Sequence, residues 1–287
     1  MSESLVPKAF LARRLHSFFG LFLSGFLFFH LYTNSQAGVF GGKDYIKSVN
    51  GIHDIPYLLV IESLFLALPI VVHGLWGLKY LRSAEYNSFG GGGNAPYLPD
   101  YGRNRAYTWQ RITSWILLFA VVLHVVHMRF YDAPFEISNE GSPKYFVKLV
   151  QDDGLPSVAQ RLHVELLDNS GVPDLKGENA GVSYAAWKGD LYSGHVVAMA
   201  KDFGTAELLM VRDTFKDPLM MFLYTIFVFA ACFHAFNGLW SFCIRWGVTL
   251  TQRSQELMLK FATLIMGVTM IFGLIAIYST YWINLRH

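Results

Sequence analysis

Long apolar runs separated by polar stretches are the dominant pattern of this chain. Five are long enough to cross a bilayer, whose core of about 30 Å takes roughly 20 apolar residues in a helix. They run from Leu15 to Thr33, Pro56 to Leu81, Tyr107 to Phe130, Pro218 to Arg245, and Leu257 to Ile283. The first also admits a reading as a signal peptide, with Arg13 and Arg14 ahead of it and Ser35-Gln36-Ala37 loosely resembling a cleavage site. Four further spans, and a histidine inside the first, favour a retained helix.

Between the third and fourth runs lies Tyr131 to Lys216, with thirteen acidic and eight basic residues and no sustained apolar stretch. It is too long for a simple connection. Local patterns predict short helices near Lys144–Gln151, Ser157–Leu167 and Thr205–Phe215, with strands around Gly181–Trp187 and Val196–Ala200. The expected fold is all-α and integral to the membrane: helices I–III over 1–130, an extracytoplasmic insert over 131–216, and helices IV–V over 217–287. Four of the five helices are expected to form the functional bundle.

Composition agrees with a membrane protein. Hydrophobic residues make up 53% and charged residues 15%, against roughly 25% charged in soluble domains. A formal net charge of +2 gives no argument for nucleic acid. Cys232 and Cys243 share one span and read as small packing residues rather than a disulfide framework. The basic residues set the orientation. Lys8, Arg13 and Arg14 precede the first span, Lys79, Arg82, Arg103, Arg105 and Arg111 bracket the second connection, and Arg245, Arg253 and Lys260 bracket the fourth. All three groups fall on one face, which the positive-inside rule makes cytoplasmic. The N-terminus is then inside and the C-terminus outside.

The chemistry lies in four histidines, His30, His73, His124 and His234, one in each of four apolar runs. An ionisable ring at membrane depth is costly unless it is paired, protein-facing or metal-bound. Four such rings on four helices suffice to clamp two haems, each iron between two imidazoles. At 1.5 Å per residue, His30 lies roughly 24 Å outward of Arg14, and His124 roughly 20 Å outward of Arg111. His73 and His234 lie roughly 9 to 17 Å from the inner surface, set by Lys79, Arg82 and Arg245. The rings therefore sort into an inner pair, His73 with His234, and an outer pair, His30 with His124.

Facing supports the sorting, because positions eleven or fourteen apart return to nearly the same side of a helix. Glu62 shares a face with His73, Arg245 with His234, His16 with His30, and Gln110 with His124. His16, Ser17, Gln110 and Arg245 fall near the inner haem's edge, where propionates need cationic or hydrogen-bonding partners. Arg129 is the corresponding candidate for the outer haem. Glycines follow two of the ligands, in HGLWG and HAFNGLW, and either admit a flat macrocycle or simply permit helix–helix contact.

Rival assignments stand beside these. His127 has a suitable depth to replace His124 as the outer ligand. His53, His163, His195 and His287 lie outside the spans and read as surface histidines. Glu62, an acid well inside a span, serves either quinone and proton chemistry or structure. Gly90 to Gly93 lacks the lysine and hydroxyl of a phosphate loop and reads as a cytoplasmic turn.

Several motifs resemble a known family. RRLHS at Arg13–Ser17, His73-Gly74, QRITS at Gln110–Ser114, LHVVHMR at Leu123–Arg129, and FHAFNGLWSFCIRWGVTLTQRSQ at Phe233–Gln255 are similar to the di-haem cytochrome b anchors of type B succinate:quinone oxidoreductases, the succinate dehydrogenases and fumarate reductases. The resemblance covers all five spans and is most specific in the last motif. It implies two haem b groups, a quinone (menaquinone or ubiquinone) as substrate, and flavoprotein and iron–sulfur partner subunits at a bacterial cytoplasmic membrane. It further implies that His73 and His234 hold the proximal haem and His30 and His124 the distal one. By the same likeness the anchor relays electrons to the quinone pool and carries no succinate-oxidising site. Arg129 and Glu62 match family positions, whereas His127 falls where the family need not have histidine. The external connection at Tyr131–Lys216 is longer than the family's. Two other classes remain: the b-type anchor of a hydrogenase or formate dehydrogenase, against which the Phe233–Gln255 motif argues, and a haem-free structural anchor.

Overall fold

The computed structural model describes residues 8–83, 98, 100–138, 142–167 and 194–287. Five helical segments are long and apolar enough to cross a membrane: Lys8–Gly38, Leu58–Arg82, Gly102–Tyr131, Pro218–Arg245 and Gln252–Asn284. They are the five read from the sequence, and the fold is that of an all-α integral membrane protein.

The first span is helix α1, Lys8–Ser35, which starts before the apolar run because Ala, Leu, Arg and Lys are good helix formers. A short helix, α2 (Lys43–His53), follows. The second span begins as α3 (Leu58–Glu62), passes through a π-helical turn at Ser63–Ala67, and continues as α4 (Leu68–Ser83). The third is α5 (Gly102–Val125), ending in a π-helical turn at Val126–Tyr131. Such turns widen the helix and are frequent at functional sites. One follows directly on Glu62, and the other begins two residues after His124.

The insert departs from its predicted elements. Lys144–Gln151, expected to be helical, is strand β2 (Lys144–Val150), paired antiparallel with β1 (Phe135–Ile137) on one side. Its aromatic and β-branched residues suit a strand covered on both faces, where the polar alternation that would betray it is lost. Ser157–Leu167, also expected to be one helix, is divided. Helix α6 (Leu155–Arg161) ends, His163 takes a left-handed φ of 56°, and Glu165–Leu167 forms β3. The predicted strand at Val196–Ala200 is β4 (His195–Ala200), and the predicted helix at Thr205–Phe215 is α7 (Phe203–Thr214). Gly181–Trp187 and Gly90–Gly93 lie outside the described residues. The sheet order is β1-β2-β4-β3, all antiparallel. The fourth and fifth spans are α8 (Pro218–Arg245) and α9 (Gln252–Ser279), the latter closing in a π-helical turn at Thr280–Asn284.

The chain divides into two compact units. The first takes Met1–Leu31, Tyr57–Ala120 and Ile226–Ile271, and the second Tyr32–Pro56, Val121–Thr225 and Phe272–His287. In the second unit, Ile137, Phe146 and Val197 form a core on one face of the sheet, and α7 packs against β2 and β4. Asp202 caps α7 by accepting from the Thr205 backbone N–H at 2.9 Å and from its hydroxyl at 2.8 Å. Asn50 of α2 reaches the same end, accepting from Gly204 N–H at 2.7 Å and donating to Asp202 at 2.8 Å. Gly204 is required there, since a Cβ would stand 2.6 Å from the Ile46 carbonyl oxygen. Arg212 is fully buried, donating to both oxygens of Asp152 at 2.7 Å and to the Leu285 carbonyl at 2.7 Å, with Tyr281 beneath its guanidinium. Burial alone would raise the Asp152 pKa. The Arg212 hydrogen bonds and charge, helped by Lys216, hold it below the usual carboxylate value instead.

Candidate functional site

Within the first unit four spans converge on two histidines. His73 on α4 and His234 on α8 have ring centres 6.2 Å apart, with planes at 83°. Each ring is held through Nδ1. His73 Nδ1 lies 3.0 Å from the His16 carbonyl oxygen on α1, and as a donor to it fixes the tautomer whose lone pair is on Nε2. His234 Nδ1 lies 3.5 Å from the Thr113 hydroxyl and 3.4 Å from that of Ser114, both on α5. Histidines that bind metal are oriented by a second-nitrogen hydrogen bond of this kind.

The surroundings are built to fix these rings. His16 stacks on His73 with ring centres 4.0 Å apart and planes 9° from parallel. Gly20 of α1 faces the same ring, and a Cβ there would stand 2.8 Å from His73 Cε1. The Gln110 amide is taken at both ends by α8: it donates to the His234 carbonyl at 3.1 Å and accepts from Asn237 at 2.7 Å. Gln110 thus registers α5 against α8 beside His234. Ser24 ties α1 to α8, donating to the Ala235 carbonyl at 3.2 Å. Ser17 is buried on α1, and Arg245 is exposed at the end of α8. His16 Nδ1 is buried without a hydrogen-bond partner among the described residues.

These observations fit a haem held by His73 and His234. Metal–nitrogen bonds of about 2 Å on opposite sides of one ion put imidazole centres roughly 6 Å apart, and each ring turns freely about its own bond, so crossed planes are allowed. Nε2 is the nitrogen left for the metal in both rings, and His16 supplies an unsatisfied polar atom beside them. No group of three or more His, Cys, Asp or Glu gathers as a bare-ion site among the described residues. A pair is enough for an iron whose other ligands come from a macrocycle.

The remaining candidates are distributed between the units. His30, in the first, stacks on Phe26 at 5.3 Å. Glu62, also in the first, is half-buried at the last residue of α3. His124 lies in the second unit, where Nδ1 is 3.2 Å from the Tyr224 hydroxyl. His127, the rival ligand, has both nitrogens engaged: Nδ1 lies 3.3 Å from the same hydroxyl, and Nε2 is 2.8 Å from Asp132. Arg129 is exposed on the π-helical turn, and its charge acts on Glu207 of α7. Burial pushes Glu207 up to about 7, against the opposing pull of that arginine.

Sequence reading missed Thr113, Ser114, Asn237, Tyr224 and Asp132 as partners. One signal was present. A tyrosine hydroxyl inside an apolar span must find a partner, since lipid offers none.

No family model and no solved structure matches the chain. Over 274 residues, 95% of this chain and 97% of the relative, it is 24% identical to the succinate dehydrogenase cytochrome b558 subunit of Bacillus subtilis (strain 168). The chain is similar to a succinate dehydrogenase cytochrome b subunit from end to end. That likeness spans both units and bears out the resemblance carried by the motifs. Five apolar helices and this relative together make the chain a multi-pass membrane protein.

Proposed function

We propose that this chain is the membrane-anchoring, di-haem cytochrome b subunit of a succinate:quinone oxidoreductase, passing electrons between an iron–sulfur subunit and membrane quinone. The observation that carries the reading is the His73–His234 pair, 6.2 Å apart and oriented through Nδ1 by backbone and hydroxyl groups. His73 and His234 would hold the proximal haem, and the depth reading of the sequence gives the distal one to His30 and His124. A haem held between two such histidines would supply one-electron transfer.

The chain's own residues do the rest. Thr113, Ser114, Gln110 and the His16 carbonyl keep the proximal imidazoles aligned, so that neither ring must reorganise to hold its metal. His16, Ser17 and Arg245 serve the propionate edge of that site, and Arg129 serves the distal one. The basic residues of the cytoplasmic face dock the iron–sulfur subunit, which carries the flavoprotein. The N-terminus is inside and the C-terminus outside. Glu62 exchanges protons at the quinone, where a carboxylate acts as acid or base, and the adjoining π-helical turn suits a site.

A reduced-minus-oxidised spectrum of the purified protein tests the reading: a b-type band with two haems per chain is expected, and its absence eliminates it. Glu62→Gln should impair quinone turnover while both haem signals persist. Loss of a haem signal in that variant contradicts the proton role.

A further inference from the structure

His127 and Asp132 are unexplained by the function above, although both lie where the third span meets the insert. With Tyr224 they form a continuous hydrogen-bonded line ending on a proposed ligand. His124 Nδ1 is 3.2 Å from Tyr224 Oη, which is 3.3 Å from His127 Nδ1, and His127 Nε2 is 2.8 Å from Asp132 Oδ2. The ring of Tyr224 is fixed edge-to-face by buried Phe215, at the end of the insert, with centres 5.2 Å apart. The insert thus supplies Asp132 at one end of this line and Phe215 against its tyrosine.

We infer that Tyr224, His127 and Asp132 are positioning residues that orient His124 and strengthen it as a metal ligand. The inference rests on His124 being the distal ligand. A ring that binds through Nε2 carries its proton on Nδ1, which donates to Tyr224 Oη. The tyrosine hydroxyl then donates to His127 Nδ1, leaving the His127 proton on Nε2 to donate to the Asp132 carboxylate. One proton arrangement satisfies every contact in the same direction. Each bond polarises the next, and the carboxylate at the far end makes the His124 imidazole a more basic donor. His127 is then a link in the line, not a competing ligand, since neither of its nitrogens is left for a metal.

A basic axial ligand favours oxidised iron, so breaking the line should raise the midpoint potential of one haem. The test is a redox titration of the haem-loaded complex carrying Tyr224→Phe, which keeps the ring against Phe215 and removes the hydroxyl. Two haems should remain, with one potential raised and the other unchanged. Asp132→Asn should raise the same potential by less, and it carries the test alone if Tyr224→Phe does not assemble. Unchanged potentials in a haem-replete variant, or equal shifts of both haems, overturn the inference. Failure of the underlying reading looks different. In that case the wild type holds no haem, or His124→Ala retains both haems while His127→Ala loses one.

Discussion

The His73–His234 site and the Arg212 site of the insert solve the burial of polar groups in opposite ways. In the first unit large apolar side chains such as Phe18, Phe65 and Phe119 face outward, and polar groups turn inward to backbone carbonyls and hydroxyls. The insert follows the rule of water-soluble domains. Phe146, Val147, Leu149, Leu208 and Leu209 are buried, and its one fully buried charge among the described residues, Arg212, meets a carboxylate two-point. Polar residues in the first unit therefore gather around two histidines, whereas Arg212 in the second is sealed into the fold. His73 and His234 are half-buried, whereas the Arg212 guanidinium is sealed against Asp152, Tyr281 and Leu285.

Substitutions on each side should separate accordingly. The largest effect belongs to the histidines: His73→Ala or His234→Ala should each remove one haem of two, read by haem extraction and difference spectroscopy. Retention of both would end the site assignment. Next, Arg212→Ala leaves the Asp152 carboxylate without its main partner, a loss of about 3–5 kcal/mol for a broken buried pair. Thermal unfolding and limited proteolysis of the detergent-solubilised chain should show the insert opening earlier while the His73–His234 haem spectrum survives. A coupled loss of that spectrum would mean that the two sites are not independent.

The smallest effect concerns Glu207, whose folded pKa is raised to about 7 by burial. The folded state then holds a proton that the unfolded chain has released, so stability declines as pH rises from about 4.5 toward 7 and stays lower above it. Glu207→Gln removes that dependence and should stabilise the insert by roughly 2–3 kcal/mol above neutral pH, with no difference below pH 4.5. Asp152 behaves oppositely. Its lowered pKa gives stability that is present above the ordinary carboxylate range and lost as pH falls through the folded value. Unfolding curves taken from acid to alkaline pH distinguish the two.

How much was legible in the sequence varied with the solvent. Membrane spans announce themselves because lipid forces every residue of a long run to be apolar, and all five were readable from hydropathy. The insert was harder. Lys144–Gln151 was expected to be helical, yet β4 pairs along Tyr145–Val150, β1 pairs with Lys144–Phe146, and α7 packs against the strand, so pairing overrode the local pattern. Ser157–Leu167 was broken by the reversal at His163, which no turn residue advertised. Near His73 and His234, polar residues could be assigned a depth and a face, but not a partner.

The sequence by itself determined the five spans and the histidines within them, because a helix that crosses lipid needs a long apolar run. Only the tertiary structure decided that His73 and His234 are engaged through Nδ1, that Gln110 is spent on α8, and that His127 is tied to Tyr224 and Asp132. Those outcomes depend on which side chains meet across helices distant in the chain, and one-dimensional spacing carries no record of such meetings.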